Sequence, residues 1–135
     1  MPFSEVFFHL VMRIDQSAGK LHELTRKVVE TKLAEDITAF GGVSLAVNLL
    51  PDHVHILLQS LPTASPDAIV GILMENSTEL VTGMGRDEKL VWEKEYGAVS
   101  VSKSHIEIVS KYIETQPERH RTGKLNDTLE RTNSE

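Results

Sequence analysis

Two histidines one residue apart, His53 and His55, stand among the alternating apolar side chains Val54, Ile56 and Leu58, a pattern that reads as a β-strand. Alternation sends both imidazoles to one face, where they can hold a divalent ion between them. Farther along, Tyr112 and Gln116 are four residues apart in a segment whose apolar stripe of Ile106, Val109 and Ile113 has helical spacing, so the two stack on that helix's flank. Tyr112 lies roughly 60° around the helix from Val109, far enough off the stripe for its hydroxyl to reach over a sheet. Taken singly, the histidine pair also fits two half-exposed strand residues, and the phenol fits a residue padding a helix-sheet boundary. His9 reads as an ordinary sheet residue, and Trp92 and Tyr96 as edge packing. Ser77, Ser100, Ser102 and Ser104 lack a His-Asp arrangement that would activate a hydroxyl.

The elements that must position these residues follow from periodicity. Val6, Phe8, Leu10, Met12 and Ile14 alternate with Phe7, His9, Val11 and Arg13, which predicts a strand over residues 5–14. Leu21, Leu24, Val28, Leu33 and Ile37 recur among charges at the spacing of a surface helix over 20–40, closed by Gly41-Gly42. Val43, Leu45, Val47 and Leu49 alternate again, and Leu50-Pro51-Asp52 is turn chemistry. So short a connection forces residues 53–59 to pair antiparallel with the preceding strand. Val54, Ile56 and Leu58 then face one side, and His53, His55, Leu57 and Gln59 the other. Ser65-Pro66-Asp67 opens a helix running to about Val81, and a short strand follows around residues 96–101. Ser104 starts a helix to Gln116, which Pro117 stops or kinks.

Strand, helix, hairpin, helix, strand is the order of an α+β, ferredoxin-like antiparallel sheet with helices on one face, here followed by a C-terminal helix carrying Tyr112. The open face is where chemistry is expected. Residues 1–121 form a single domain, and 122–135, polar and mixed in charge, a flexible tail.

Composition narrows the chemistry further. A chain of 135 residues with 40% hydrophobic and 25% charged residues suits one ordinary globular domain. The absence of cysteine excludes disulfides, thiolate metal sites and cysteine nucleophiles, so a metal must use His, carboxylate or amide ligands. No apolar run approaches the roughly 20 residues of a membrane span, and the first residues do not read as a signal peptide, so a cytoplasmic location is expected. The formal charge of −6 opposes binding to phosphate backbones. Distribution softens this: Lys103, Lys111, Arg119, Arg121 and Lys124 outnumber Glu107, Glu114 and Glu118 over residues 103–124.

Three ordered blocks carry more than any single residue. Leu49-Leu50-Pro51-Asp52-His53-Val54-His55-Ile56-Leu57-Leu58 resembles a Pro-Asp-His-Val-His block. Trp92 with Tyr96-Gly97-Ala98-Val99-Ser100-Val101-Ser102 resembles a Trp-x-x-x-Tyr-Gly-Ala-Phe-Ser-Val-Ser block, and Tyr112-Ile113-Glu114-Thr115-Gln116 a Tyr-Ile-x-x-Gln signature. In order and spacing, over about residues 5–121, the chain is similar to the insertion-sequence-200-type single-tyrosine HUH transposases, with REP-associated tyrosine transposases as relatives. The resemblance implies a metal-dependent DNA transposase that cleaves and rejoins single-stranded DNA through a 5′-phosphotyrosine. It implies Tyr112 as nucleophile, His53, His55 and Gln116 as ligands of Mg²⁺ or Mn²⁺, single-stranded DNA with hairpin ends as partner, and a homodimer whose active sites are shared between subunits.

The chain departs from that pattern in three places. Ile14-Asp15 stands where Thr-Lys is usual, and Met74-Glu75-Asn76-Ser77 where a Lys precedes paired Ser. Gln116-Pro117-Glu118-Arg119-His120 stands where Glu-His-His follows Gln. The first two changes remove positive charge and favour the alternative of a non-catalytic or domesticated DNA-hairpin-binding remnant. A histidine-triad nucleotide hydrolase would need a further His at position 57, which is Leu57.

Overall fold

Strand β1 (Val6–Ile14) divides the molecule. Its Leu10, Met12 and Ile14 enter a core capped by two helices, while His9, Val11 and Arg13 point to the opposite face. The computed structural model describes residues 3–134. Strands β2 (Val43–Leu49), β3 (His53–Ser60) and β4 (Trp92–Val101) join β1 in one antiparallel sheet of order β2-β3-β1-β4. Helices α1 (Glu23–Ala39) and α2 (Pro66–Gly83) pack on one face, where Val29, Leu33 and Ile37 of α1 and Ile69, Val70 and Leu73 of α2 meet Val54, Ile56 and Leu58. This is the α+β, ferredoxin-like arrangement that the order of elements predicts.

Local chemistry sets the boundaries. Ser65 caps α2 by accepting the Ala68 N–H at 3.1 Å, with Pro66 in the first turn, where its missing N–H costs nothing. The Leu50-Pro51-Asp52 turn closes the hairpin through Leu50 N–H on the His53 carbonyl at 2.8 Å. Strand β4 starts at Trp92, earlier than the expected 96. A register shift between Met12 and Ile14 extends the pairing, and the indole N–H is anchored on Ser77 Oγ at 2.9 Å.

The other face of the sheet is covered by the C-terminal part of the chain. Helix α3 (Ile106–Glu114) lays Val109, Tyr112 and Ile113 against Leu57 in a second, smaller apolar cluster. Burying Ile113 alone contributes roughly 1.5–3 kcal/mol to holding it there. The helix breaks at Thr115, and α4 (Gln116–Thr122) leaves at a new angle. Pro117 explains the break: it has no N–H to give the Ile113 carbonyl, which instead accepts the Asn48 side-chain amide at 2.9 Å.

Residues 122–134, read from sequence as a tail, carry further local structure. Gly123, at φ +74°, ends α4 with the Lys124 N–H on the Arg119 carbonyl at 3.0 Å and turns the chain back toward the sheet. A one-turn helix, α5 (Asp127–Glu130), follows, capped by Asn126, whose Oδ1 accepts the Leu129 N–H. Leu129 joins the cluster of Leu57, Val109, Tyr112 and Ile113. One buried leucine among polar neighbours is what periodicity cannot detect.

Candidate metal and tyrosine site

His53 and His55 alternate out of the main core onto the face beneath α3 and are almost completely buried. His53 Nδ1 lies 2.6 Å from Asp52 Oδ1, and because a carboxylate only accepts, the ring proton sits on Nδ1. In the neutral ring Nε2 is then left with a bare lone pair; it is buried and without a hydrogen-bond partner, with Glu130 Oε1 at 3.5 Å. A buried polar atom left unpaired costs about 1–3 kcal/mol. That cost has a use where the lone pair awaits a cation.

His55 is fixed differently. Its Nε2 is 3.1 Å from a Glu130 oxygen, so this nitrogen donates, and Nδ1 accepts from His9 Nε2 at 2.8 Å. Burial, reinforced by neighbouring His55, drives the pKa of His9 down to about 3. Burial also lowers that of His55, although Glu130 pulls the other way. The pair is thus held neutral near pH 7, the state in which imidazole binds metal.

Tyr112 approaches from α3. Its hydroxyl donates to Glu130 Oε2 at 2.5 Å and accepts the Asn126 N–H at 2.9 Å, its ring stands edge-on to His55, and the Arg119 guanidinium lies 4.7 Å from the ring centroid. Burial raises the phenol's pKa, and Glu130 adds to the effect, outweighing the Asn126 N–H. Burial would raise Glu130 too, but hydrogen bonds from His55 and Tyr112 hold it down at about 2. The proton of this pair stays on the tyrosine.

Gln116, also fully buried, donates its amide to the Tyr112 carbonyl at 3.2 Å and accepts from His120 Nε2 at 2.8 Å. The His120 ring packs 4.6 Å from that of His53. One donor atom from each of His53, His55, His120 and Glu130 falls within 4.8 Å of the others. Three imidazole nitrogens and a carboxylate suit a divalent ion of borderline softness such as Mn²⁺ better than Mg²⁺, which prefers oxygen. Beside Tyr112 opens a cavity of about 960 Å³, lined among others by Arg119, Lys124, Asn126 and Ser102.

Of the residues singled out from sequence, His53, His55 and Tyr112 converge on one carboxylate, and Gln116 reaches the group through His120. Sequence reading passes over two participants, His120 and Glu130, and weighs a third, His9, toward the plainer role. His9 shares strand parity with the site, so its expected role as an ordinary sheet residue gives way to that of buried partner to His55. His120 is four residues from Gln116 and eight from Tyr112, a helical spacing that could have flagged it. Glu130 carries no local signal.

The family model described as "Transposase IS200 like" matches residues 3–116. The chain belongs to the IS200-like transposase family. The ISDra2 transposase TnpA of Deinococcus radiodurans is 29% identical over 94 residues, 64% of this chain and 67% of that protein. Two solved structures share the fold. A Deinococcus radiodurans R1 protein assigned as a transposase superposes with a TM-score of 0.59 at 21% identity, covering 85% of this chain and 93% of its own. A REP-associated tyrosine transposase bound to a REP hairpin gives 0.62 at 12% identity, covering 89% and 72%. The IS200-like match takes in His53, His55, Tyr112 and Gln116 and stops short of His120 and Glu130. No helix among the described residues is long and apolar enough to cross a membrane.

Proposed function

We propose that this IS200-like transposase cleaves and rejoins single-stranded DNA with Tyr112 as nucleophile, in a site formed with His53, His55 and Gln116. The observation that carries the reading is the meeting of phenol and imidazole pair on one carboxylate: Tyr112 Oη is 2.5 Å, and His55 Nε2 3.1 Å, from Glu130. In the proposed step the tyrosine oxygen bonds to the scissile phosphorus and the bond from phosphorus to the 3′ oxygen breaks. The departing 3′ oxygen takes up the proton that the phenol gives to Glu130, so a 5′-phosphotyrosine and a 3′ hydroxyl result and the reverse reaction rejoins strands without ATP. A divalent ion, Mg²⁺ or Mn²⁺, held by His53, His55 and Gln116, would polarise the phosphate and offset the charge that grows on it.

The chain's own groups have distinct parts. Asp52 keeps the His53 proton on Nδ1 and so leaves Nε2 free to ligate. His55 must move its proton from Nε2 to Nδ1 to do the same, and His9 Nε2 can then accept that proton's hydrogen bond. Glu130 is placed to receive the phenolic proton, while the Asn126 N–H fixes the direction of the tyrosine oxygen. Arg119 and Lys124 give the neighbouring cavity the positive charge a nucleic-acid strand needs.

A hairpin partner is supported by the hairpin-bound structural neighbour; single-stranded DNA as the substrate and a cytoplasmic location belong to the same proposal. A homodimer sharing its active sites remains part of the proposal, with exchange of α3 and α4 between copies as the way to form it. The second reading, a hairpin-binding remnant without chemistry, draws on the net charge of −6 and on exposed Glu75. Incubation of pure protein with single-stranded DNA flanking its own gene and Mn²⁺ separates the two. A covalent adduct on a denaturing gel, absent in Tyr112→Phe, supports the transposase, and hairpin retention with no adduct supports the remnant.

A further inference from the structure

Glu130 reaches the site from the far end of the chain, and its seat is specifically built. Gly123 turns the backbone around, Leu129 fills the apolar cluster, and Arg13 Nη2 donates to the Glu130 carbonyl at 3.1 Å. Gly97 of β4 leaves room for the next residue: a Cβ there would stand 1.9 Å from the Arg131 carbonyl oxygen. The carboxylate that results is only 11% exposed and lies within 3.5 Å of Nε2 atoms from His53, His55 and His120.

We propose that Glu130 is itself a ligand of the bound ion, so that metal binding and docking of residues 124–134 are one coupled event. This rests on the reading of His53 and His55 as metal ligands. Two neutral imidazoles and a neutral amide would leave a doubly charged ion uncompensated in a buried site; Asp52 is engaged behind the His53 ring at Nδ1, and Glu130 is the carboxylate that meets the Nε2 atoms. The exchange of partners is balanced. When His55 turns its Nε2 lone pair to the ion, Glu130 loses that hydrogen bond and gains the cation in its place. His53 Nε2, unpaired in the free chain, gains its first partner. An ion that binds the docked segment and not the released one stabilises docking by mass action.

The test uses the full-length protein, Mn²⁺ titration by calorimetry, and hydrogen exchange of the backbone amides. The expected result is that Glu130→Gln, nearly isosteric, weakens Mn²⁺ binding by about tenfold or more. Mn²⁺ should slow exchange across residues 126–131 in the wild type and leave it unchanged in Glu130→Gln. Glu130→Asp, which keeps the charge, should recover part of the affinity. Equal affinity in wild type and Glu130→Gln, equal loss in the Gln and Asp variants, or faster exchange at 126–131 on adding Mn²⁺ would each overturn the proposal, the last by showing that the ion displaces the segment. His53→Ala and His55→Ala keep the two claims apart. If they bind Mn²⁺ normally, the underlying metal reading fails; if they lose it while Glu130→Gln does not, only the role of Glu130 fails.

Discussion

Tyr112 donates its hydroxyl hydrogen bond to Glu130 across 2.5 Å, although α3 and α5 approach the site from opposite ends of an eighteen-residue stretch. The phenol oxygen also accepts the Asn126 N–H, so both of its hydrogen-bonding roles are filled by residues just past α4. Tyr112→Phe removes both at once. Loss of the covalent DNA adduct is expected, with hairpin affinity kept within about twofold, because phosphate contacts that set affinity come from Lys and Arg. The folded state should lose about 1–3 kcal/mol, since the Asn126 N–H and a Glu130 oxygen are left without a partner. Urea unfolding followed by far-ultraviolet circular dichroism measures the loss, and unchanged stability would mean that the segment is not held by the tyrosine.

His9 gives the metal-free protein a defined response to acid. Its pKa is near 3 when folded and about 6.5 in the unfolded chain, so between those values the unfolded state binds a proton that the folded state refuses. Stability from keeping His9 neutral is fully present above pH 6.5 and drains away as pH falls toward 3, by at most about 1.4 kcal/mol per pH unit. His55, its pKa also lowered, acts in the same direction. Carboxylates contribute mainly below pH 4.5, so the interval from 6.5 to 4.5 isolates the histidines. Chemical denaturation in a chelator across that interval should give a steeper fall for wild type than for His9→Gln. Parallel slopes would show that His9 takes up its proton without unfolding the chain.

The two halves of the site differ in how far sequence reveals them. His53 and His55 were legible because a strand's period of two is rigid: once Val54, Ile56 and Leu58 take the main core, the histidines have one face left. Tyr112 was legible as a residue beside a helical stripe, but its contact with the sheet depends on the break at Thr115. Pro117 signals that break; its position two residues earlier, and the angle of α4, depend on Asn48 capturing the freed Ile113 carbonyl from another strand. Glu130 lies beyond local pattern altogether. Its seat depends on the missing side chain at Gly97, distant from it in sequence, and on the turn at Gly123, neither a carrier of charge or hydrophobicity.

Assembly of the site within one chain can be tested by mixing defective proteins. His55→Ala lacks one imidazole and Tyr112→Phe lacks the nucleophile, while each keeps the other's missing group. The contacts from Tyr112 to Glu130 and His55 are satisfied inside a single subunit. The proposed exchange of α3 and α4 in a symmetric dimer makes the same contacts across subunits, so a mixture of the two variants should recover about a quarter to a half of wild-type adduct, because mixed dimers then contain one complete site. A mixture that forms no more adduct than either variant alone would show that each site is completed inside one subunit and would remove the shared-site dimer.

Gly97 offers a way to loosen the C-terminal segment without touching any candidate ligand. In Gly97→Ala the new methyl meets the Arg131 carbonyl oxygen at 1.9 Å and Val11 Cγ1 at 2.7 Å. The valine tip can shift, but the carbonyl is backbone and must move bodily. Overpacking in a sealed core costs typically about 1–3 kcal/mol, yet here the segment has an exit toward solvent, so the penalty cannot exceed the free energy of docking it. Global unfolding of the sheet should therefore change little, while amides of residues 126–131 exchange faster and Tyr112 becomes more accessible to iodination. Mn²⁺ affinity should drop to about the level of Glu130→Gln, because both variants withdraw the same carboxylate. A Gly97→Ala protein that keeps wild-type Mn²⁺ affinity with a demonstrably mobile segment would mean the histidines hold the ion without help from the C-terminus.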